Sequence, residues 1–200
     1  MSKGTELFPF KRGLAPLCLS DPTKTAKWTD DWVKAAATPK KFSWHPNTNQ
    51  GLVVKAAERD TKDHCAYCDQ WIPVPKTIDH FVPKSVDRTL AYDWNNLYLC
   101  CGDCQKRGNR HDPLLVRPDE PGYVFEDFFY RDLEQNLLPL PGDNFARAKC
   151  TIELFQLNKE GRRLQHKRRK ALKTKRSTPF HDRDFRYMFP EDLPTESSAA

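Results

Sequence analysis

Cys65-Ala66-Tyr67-Cys68, Ile78-Asp79-His80-Phe81-Val82-Pro83 and Asn96-Leu97-Tyr98-Leu99-Cys100-Cys101-Gly102-Asp103-Cys104, read in that order, decide the fold of this 200-residue chain. Two Cys-x-x-Cys pairs at this spacing supply four thiolates for one tetrahedral Zn²⁺ and tie two distant segments together. Cys100 adjoins the second pair. Only Cys101 keeps the two-residue spacing to Cys104, so Cys65, Cys68, Cys101 and Cys104 are the expected ligands and Cys100 faces the other side of its strand. A site of four cysteines is closed, so this zinc holds the fold and leaves the chemistry to other groups. Between the pairs sits Asp79-His80. An acid beside an imidazole suits metal-assisted hydrolysis, with a ligand for a hard cation next to a general base.

The local pattern around these residues is strand, loop, strand, helix. Thr77-Ile78-Asp79-His80 favours extended backbone, and Leu97-Tyr98-Leu99-Cys100 is its expected partner. A short helix from about Gly102 to Gly108 follows. The expected fold class is therefore α+β, a small ββα core stapled by a four-cysteine zinc site and flanked by N- and C-terminal helices. Residues 27–37 read as a helix with Trp28, Trp32 and Ala35 on one face, and residues 48–60 as a second with Leu52, Val53 and Ala56 buried. Pro9, Pro16 and Pro22 read as breakers in an irregular arm. Tyr123-Val124-Phe125 and Phe128-Phe129-Tyr130 read as a strand or hairpin. Phe145, Ala148, Ile152 and Phe155 recur at helical spacing, and Asn158 is a candidate cap for a further helix ending near Thr174. The expected organisation is an arm and helix at 1–47, the core at 48–112, a Pro- and aromatic-rich connection at 113–143, a basic helical segment at 144–176 and a polar tail at 177–200.

Composition narrows the function. The chain is 38% hydrophobic and 30% charged, with net charge +6, so a zinc staple would supplement a modest core. Nine Lys/Arg and no acid fall between Arg162 and Arg176. Such a run favours a polyanion, DNA or RNA, and is otherwise a solvated helix face. Arg168, Arg169 and Lys170 are the candidate backbone contacts within it. No apolar stretch is long enough to span a membrane and none reads as a leader, so the expected location is cytoplasmic, where paired cysteines are more often metal ligands than disulfides.

Further positions bear on the site. Asn96 can bond the His80 imidazole and fix its orientation, or serve only as a turn residue. Gln105, Lys106, Arg107 and Asn109 lie on or just beyond the short helix, where one of them can face Asp79. Lys106 and Arg107 suit phosphate contact.

These residues resemble the HNH endonucleases, whose pattern is Cys-x-x-Cys, Asp79-His80-x-x-Pro83, Asn96-Leu97, Cys-x-x-Cys. Tyr92-Asp93-Trp94-Asn95-Asn96-Leu97, Lys106-Arg107-Gly108-Asn109 and Ile152-Glu153-Leu154-Phe155-Gln156-Leu157-Asn158 are similar to the HNH component of Septu and retron-linked anti-phage systems. The resemblance implies His80 as general base, Asp79 as ligand of a catalytic Mg²⁺ or Mn²⁺, and Asn96 as the central motif residue. The third motif position is usually His or Asn, and here it is Gln105. Its added methylene moves the amide oxygen, and Asn109, one turn on, is a rival ligand. The subfamily further implies an ABC-type ATPase partner and, in retrons, a reverse transcriptase with its DNA–RNA product, with DNA more expected than RNA as substrate. Two alternatives stand beside this: a standalone or restriction-type HNH nuclease, and a catalytically weak zinc module that binds nucleic acid or protein.

Overall fold

The computed structural model describes residues 10–37, 42–45, 49–73, 75–159, 164–174, 177 and 183–188. The turn expected at Pro46, the arm before Phe10, the basic residues Arg162, Arg163, Lys175 and Arg176, and the last residues of the chain lie outside them. The chain divides into two packed units. One comprises Lys11–Cys65 with Ile72–His111, and the other Met1–Phe10, Ala66–Trp71 and Asp112–Ala200.

In the first of these, helix α1 spans Pro22–Lys34, five residues earlier than the hydrophobic pattern alone suggests. Asp21 caps it, accepting from the amides of Thr23 (3.0 Å) and Lys24 (3.1 Å). Pro22 therefore starts the helix and does not break it, because the first-turn amide it lacks would have no intrahelical partner. No residue of α1 is fully buried. Its Trp28 and Trp32 rings instead meet Tyr92 and Phe42.

Helix α2 spans Asn49–Thr61. Val53, Ala56, Ala57 and Asp60 are buried at i, i+3, i+4, i+7 spacing. Leu52, expected inside, is exposed, because the buried stripe lies one position further along. Asp60 accepts from the Gly13 amide at 2.7 Å and so anchors the segment before α1.

Strands β1 (Thr77–His80) and β2 (Leu97–Cys100) pair antiparallel, with Thr77 opposite Cys100, Ile78 opposite Leu99, Asp79 opposite Tyr98 and His80 opposite Leu97. Every residue of β2 is buried. Helix α2 packs on this hairpin, and Arg12 lies over the Tyr98 ring, donating to the Leu97 carbonyl. A four-residue helix α3, Gly102–Gln105, follows β2. The chain reverses at Gly108 (φ +61), whose left-handed backbone suits glycine. Strand, strand and helix thus form the expected ββα arrangement in an α+β chain.

In the other unit, Phe125–Asp127 is a single 3₁₀ turn, and the hairpin is β3 (Phe129–Arg131) with β4 (Leu137–Pro139). Helix α4 (Phe145–Leu154) buries Ala148, Thr151 and Ile152, but Phe145 in its first turn is exposed. It ends in a Schellman arrangement: Gln156 has φ +52, its amide bonds to Glu153 O, and the Leu157 amide bonds to Ile152 O. The amides that Asn158 is expected to cap fall on residues 160–163, outside the described ones. The Asn158 side-chain amide pairs with the backbone N–H and C=O of Leu137 and extends the hairpin. Helix α5 spans Leu164–Thr174 and buries Leu164 and Arg168. Near the chain end, Phe185, Arg186, Tyr187 and Met188 are buried, which the polar character of residues 177–200 does not foretell. Tyr187 stacks on Phe125 at 4.3 Å. Arg186 and Asp69, both sealed from solvent, form a salt bridge at 2.6 Å. No helix among the described residues is long and apolar enough to cross a membrane.

Candidate active site and metal centre

The sulfurs of Cys65, Cys68, Cys101 and Cys104 all lie within 4.8 Å of one another. Tetrahedral zinc with bonds of about 2.3 Å sets its ligand sulfurs about 3.8 Å apart, so the four thiols fit one ion. Among the described residues they form no disulfide. Cys101 precedes α3 with extended backbone, and its sulfur accepts from the Cys104 amide at 3.4 Å. That fold-back brings both sulfurs of the second pair to one side. Cys100 stands outside the cluster, as its register in β2 requires.

His80 closes β1. Its Nε2 lies 3.0 Å from the Ala91 carbonyl. A carbonyl only accepts, so Nε2 carries the proton and Nδ1 keeps its lone pair. The Lys84 ammonium reaches Nδ1 at 3.0 Å. Phe42 meets the imidazole edge-on at 5.5 Å, and Trp44 stacks on it at 5.9 Å. Burial, chiefly, and then the Lys84 charge push the His80 pKa down to about 3, against the Ala91 carbonyl, which raises it. The imidazole is neutral at physiological pH. Burial also pulls the Lys84 pKa down, opposed by the Asp79 charge.

Asp79, His80, Pro83, Lys84, Gln105 and Asn109 line one recess of about 200 Å³. Strand β1 delivers the acid and the imidazole, and α3 with its Gly108 turn delivers the two amides. A carboxylate and amide oxygens are the donor set of a hard divalent cation, so the chemistry of the lining fits Mg²⁺ or Mn²⁺.

Three roles expected from sequence need correction. Arg107 is not a surface phosphate contact. Its guanidinium is buried, bonds Asp79 Oδ2 at 2.8 and 3.2 Å, and donates to the carbonyls of His80 (2.6 Å), Phe81 (2.8 Å) and Arg110 (2.8 Å). Arg168 is likewise buried, donating to Tyr187 Oη, Gln135 O and Leu157 O. Asn96 does not bond the imidazole. Its Oδ1 accepts from the Val82 amide (2.8 Å), and its Nδ2 donates to the carbonyls of Val82 (3.0 Å) and Leu90 (3.1 Å). It pins both ends of the loop whose Ala91 carbonyl holds His80, so its effect on the imidazole is indirect. Lys106, Arg169 and Lys170 are exposed, and Lys106 pairs with Asp103 at 2.7 Å.

Sequence reasoning missed Lys84, although its place four residues after His80 was a signal. It also missed the Phe42 and Trp44 walls. The Ala91 carbonyl has no side-chain signal at all.

Residues 65–110 match the family model described as HNH endonuclease. That span runs from the first knuckle cysteine through β1, β2 and α3, and it contains Asp79, His80, Asn96 and Gln105. Over that span, under half of the chain, the sequence matches an HNH endonuclease domain, and the four-cysteine cluster lies within it. No curated protein matches the chain.

Proposed function

We propose that the chain is a nuclease that hydrolyses nucleic-acid phosphodiester bonds by general-base catalysis at His80. The observation that carries this is the fixed tautomer of His80, whose basicity, lowered by burial and the Lys84 charge, recovers in part when Lys84 turns to phosphate. Its Nε2–H is committed to Ala91, its Nδ1 meets Lys84, and His80 and Lys84 line the recess with Asp79, Gln105 and Asn109. Nδ1 takes a proton from a water molecule, whose oxygen attacks phosphorus in line. The P–O bond to the 3′ oxygen breaks, that oxygen takes a proton from solvent water and His80 returns its proton to solvent, leaving a 5′-phosphate and a 3′-hydroxyl. Lys84 must leave Nδ1 for that water to approach, and a phosphate oxygen in the recess is a competing partner for its ammonium. Asp79 with the amide oxygen of Gln105 or Asn109 would hold Mg²⁺ or Mn²⁺. When bound, that ion supplies positive charge to the pentacovalent phosphorus and the departing oxygen. Cys65, Cys68, Cys101 and Cys104 would hold a structural Zn²⁺, a reduced-thiol site suited to the cytoplasm. Exposed Lys106, Arg169 and Lys170 are the remaining candidates for backbone phosphate contact.

The sequence likeness of residues 92–97 and 106–109 to Septu and retron-linked HNH components supports a partner-dependent effector of anti-phage defence. It would work on DNA with an ABC-type ATPase and, in a retron, a reverse transcriptase with its DNA–RNA product. A standalone nuclease differs in cutting DNA as the purified chain with Mg²⁺ alone. One observation favours a second reading, a zinc module that binds without cutting: Asp79 is already paired with the buried Arg107.

His80→Ala tests the proposal. It should lower cleavage by about 10²- to 10⁴-fold with zinc content retained and a folded far-UV circular dichroism spectrum at the assay temperature. Cleavage should be measured with the chain alone and with its ATPase partner. Full cleavage by the variant in both settings would refute the mechanism, and no cleavage by wild type in either would favour the binding module.

A further inference from the structure

A second recess, of about 390 Å³, lies in the unit formed by Ala66–Trp71 and the C-terminal residues, and the mechanism above does not use it. One wall is a single face of α5. Lys167, Lys170, Ala171 and Thr174 line it at i, i+3, i+4, i+7 spacing. The other wall carries Gln70, Trp71, Arg183 and Asp184.

Both walls are held by buried anchors. Arg168, bonded to Tyr187, Gln135 and Leu157, fixes the rotation of α5 and turns Lys167 and Lys170 to the recess. The Asp69–Arg186 pair, with Phe185 N donating to Asp69 O, holds residues 66–71 against 183–188. The Trp71 amide then donates to Asp184 Oδ1 at 2.7 Å. Against this rigid frame Trp71 leaves 49% of its surface exposed. The Lys167 and Lys170 ammonium groups form no hydrogen bond or ion pair among the described residues.

We infer that this recess binds a segment of single-stranded nucleic acid, with an unpaired base stacked on Trp71 and its flanking phosphates on Lys167, Lys170 and Arg183. Lys167 and Lys170 by themselves outweigh Asp184, whose Oδ1 accepts from the Trp71 amide. The recess is in the size range of sites for a nucleotide-sized ligand. An exposed indole beside fixed cations is how strands are held without reading sequence. In a duplex the base face is covered by its neighbours, so the indole discriminates in favour of unpaired strands. The inference rests on the nuclease reading only for the choice of a nucleic acid as ligand.

The test is fluorescence anisotropy of the full chain with a dye-labelled oligothymidylate and with a duplex of equal length, in buffer without divalent cations so that nothing is cut. Trp71→Ala should weaken strand binding by about 5- to 150-fold and leave duplex binding unchanged. Trp71→Phe should restore most of the loss. Lys167→Gln with Lys170→Gln should reduce the slope of log affinity against log salt by about 1.4, roughly 0.7 for each phosphate no longer neutralised. Zinc content and melting curves of all variants should match wild type. An unchanged strand affinity in Trp71→Ala, or an equal loss for strand and duplex, would overturn the inference. Displacement of the strand by an equal concentration of thymidine monophosphate would overturn it in favour of a free-nucleotide site. The nuclease reading is judged separately: a Trp71 effect on binding alongside full cleavage by His80→Ala would sink that reading alone.

Discussion

Replacing Arg107 with Met removes a buried cation from beneath the candidate active site. The arginine side chain is fully buried and its partner Asp79 nearly so. The change deletes two bonds to the Asp79 carboxylate and one each to the carbonyls of His80, Phe81 and Arg110. Met fills much of the volume but satisfies none of those acceptors. Removing one partner of a buried ion pair costs about 3–5 kcal/mol, because the other charge is left desolvated and unpaired. For a chain of this size, about 2–4 °C is lost per kcal/mol, so the melting temperature should fall by roughly 6–20 °C. Urea unfolding followed by tryptophan fluorescence measures the free energy directly. The double variant Asp79→Asn with Arg107→Met should be at least about 1 kcal/mol more stable than Arg107→Met alone, because the carboxylate that suffers is gone. A loss below about 1 kcal/mol in Arg107→Met, or a double variant no better than the single, would show that the guanidinium does not hold this site together.

Cys68→Ser should abolish stoichiometric zinc in protein purified without added metal and leave the chain unfolded or aggregated, since binding energy at such a site is folding energy; stable, zinc-free wild type would refute the staple. Asn96→Ala leaves the half-buried amide of Val82 and the carbonyls of Val82 and Leu90 without that side-chain partner. It should destabilise by about 2–4 kcal/mol, at 1–3 kcal/mol per orphaned group after partial relaxation, and should lower cleavage because Ala91 no longer holds His80 in place; near-wild-type urea stability would contradict the pinning role. Lys84→Met removes the ammonium that borders the recess and should reduce kcat by about 10²-fold with zinc retained. An unchanged kcat would exclude a role for that charge.

The cysteine spacing, the β-propensity of Thr77–His80 and the apolar run of Leu97–Cys100 were enough to read the four-cysteine cluster and the two strands. Those features are local, and each follows from the residues' own preferences and the reach of a two-residue knuckle. Pro22 shows where local reading fails: alone it is a breaker, and only Asp21 in front makes it the first residue of a helix. That His80 lies with Asp79 at one recess was likewise legible, because the acid–histidine pair sits between the two cysteine pairs. The protonation of His80 was not. That depends on the Ala91 carbonyl eleven residues away and on rings of Phe42 and Trp44 from before α2. Charge alone pointed Arg107 and Arg168 toward phosphate, yet both are interior posts. An arginine's sequence context does not reveal whether several backbone carbonyls converge on it, and that convergence is what makes burial of a guanidinium tolerable. Likewise, Trp71 and Lys167 are far apart along the chain. They share a recess only because buried Arg168 and Arg186 fix the two walls that carry them.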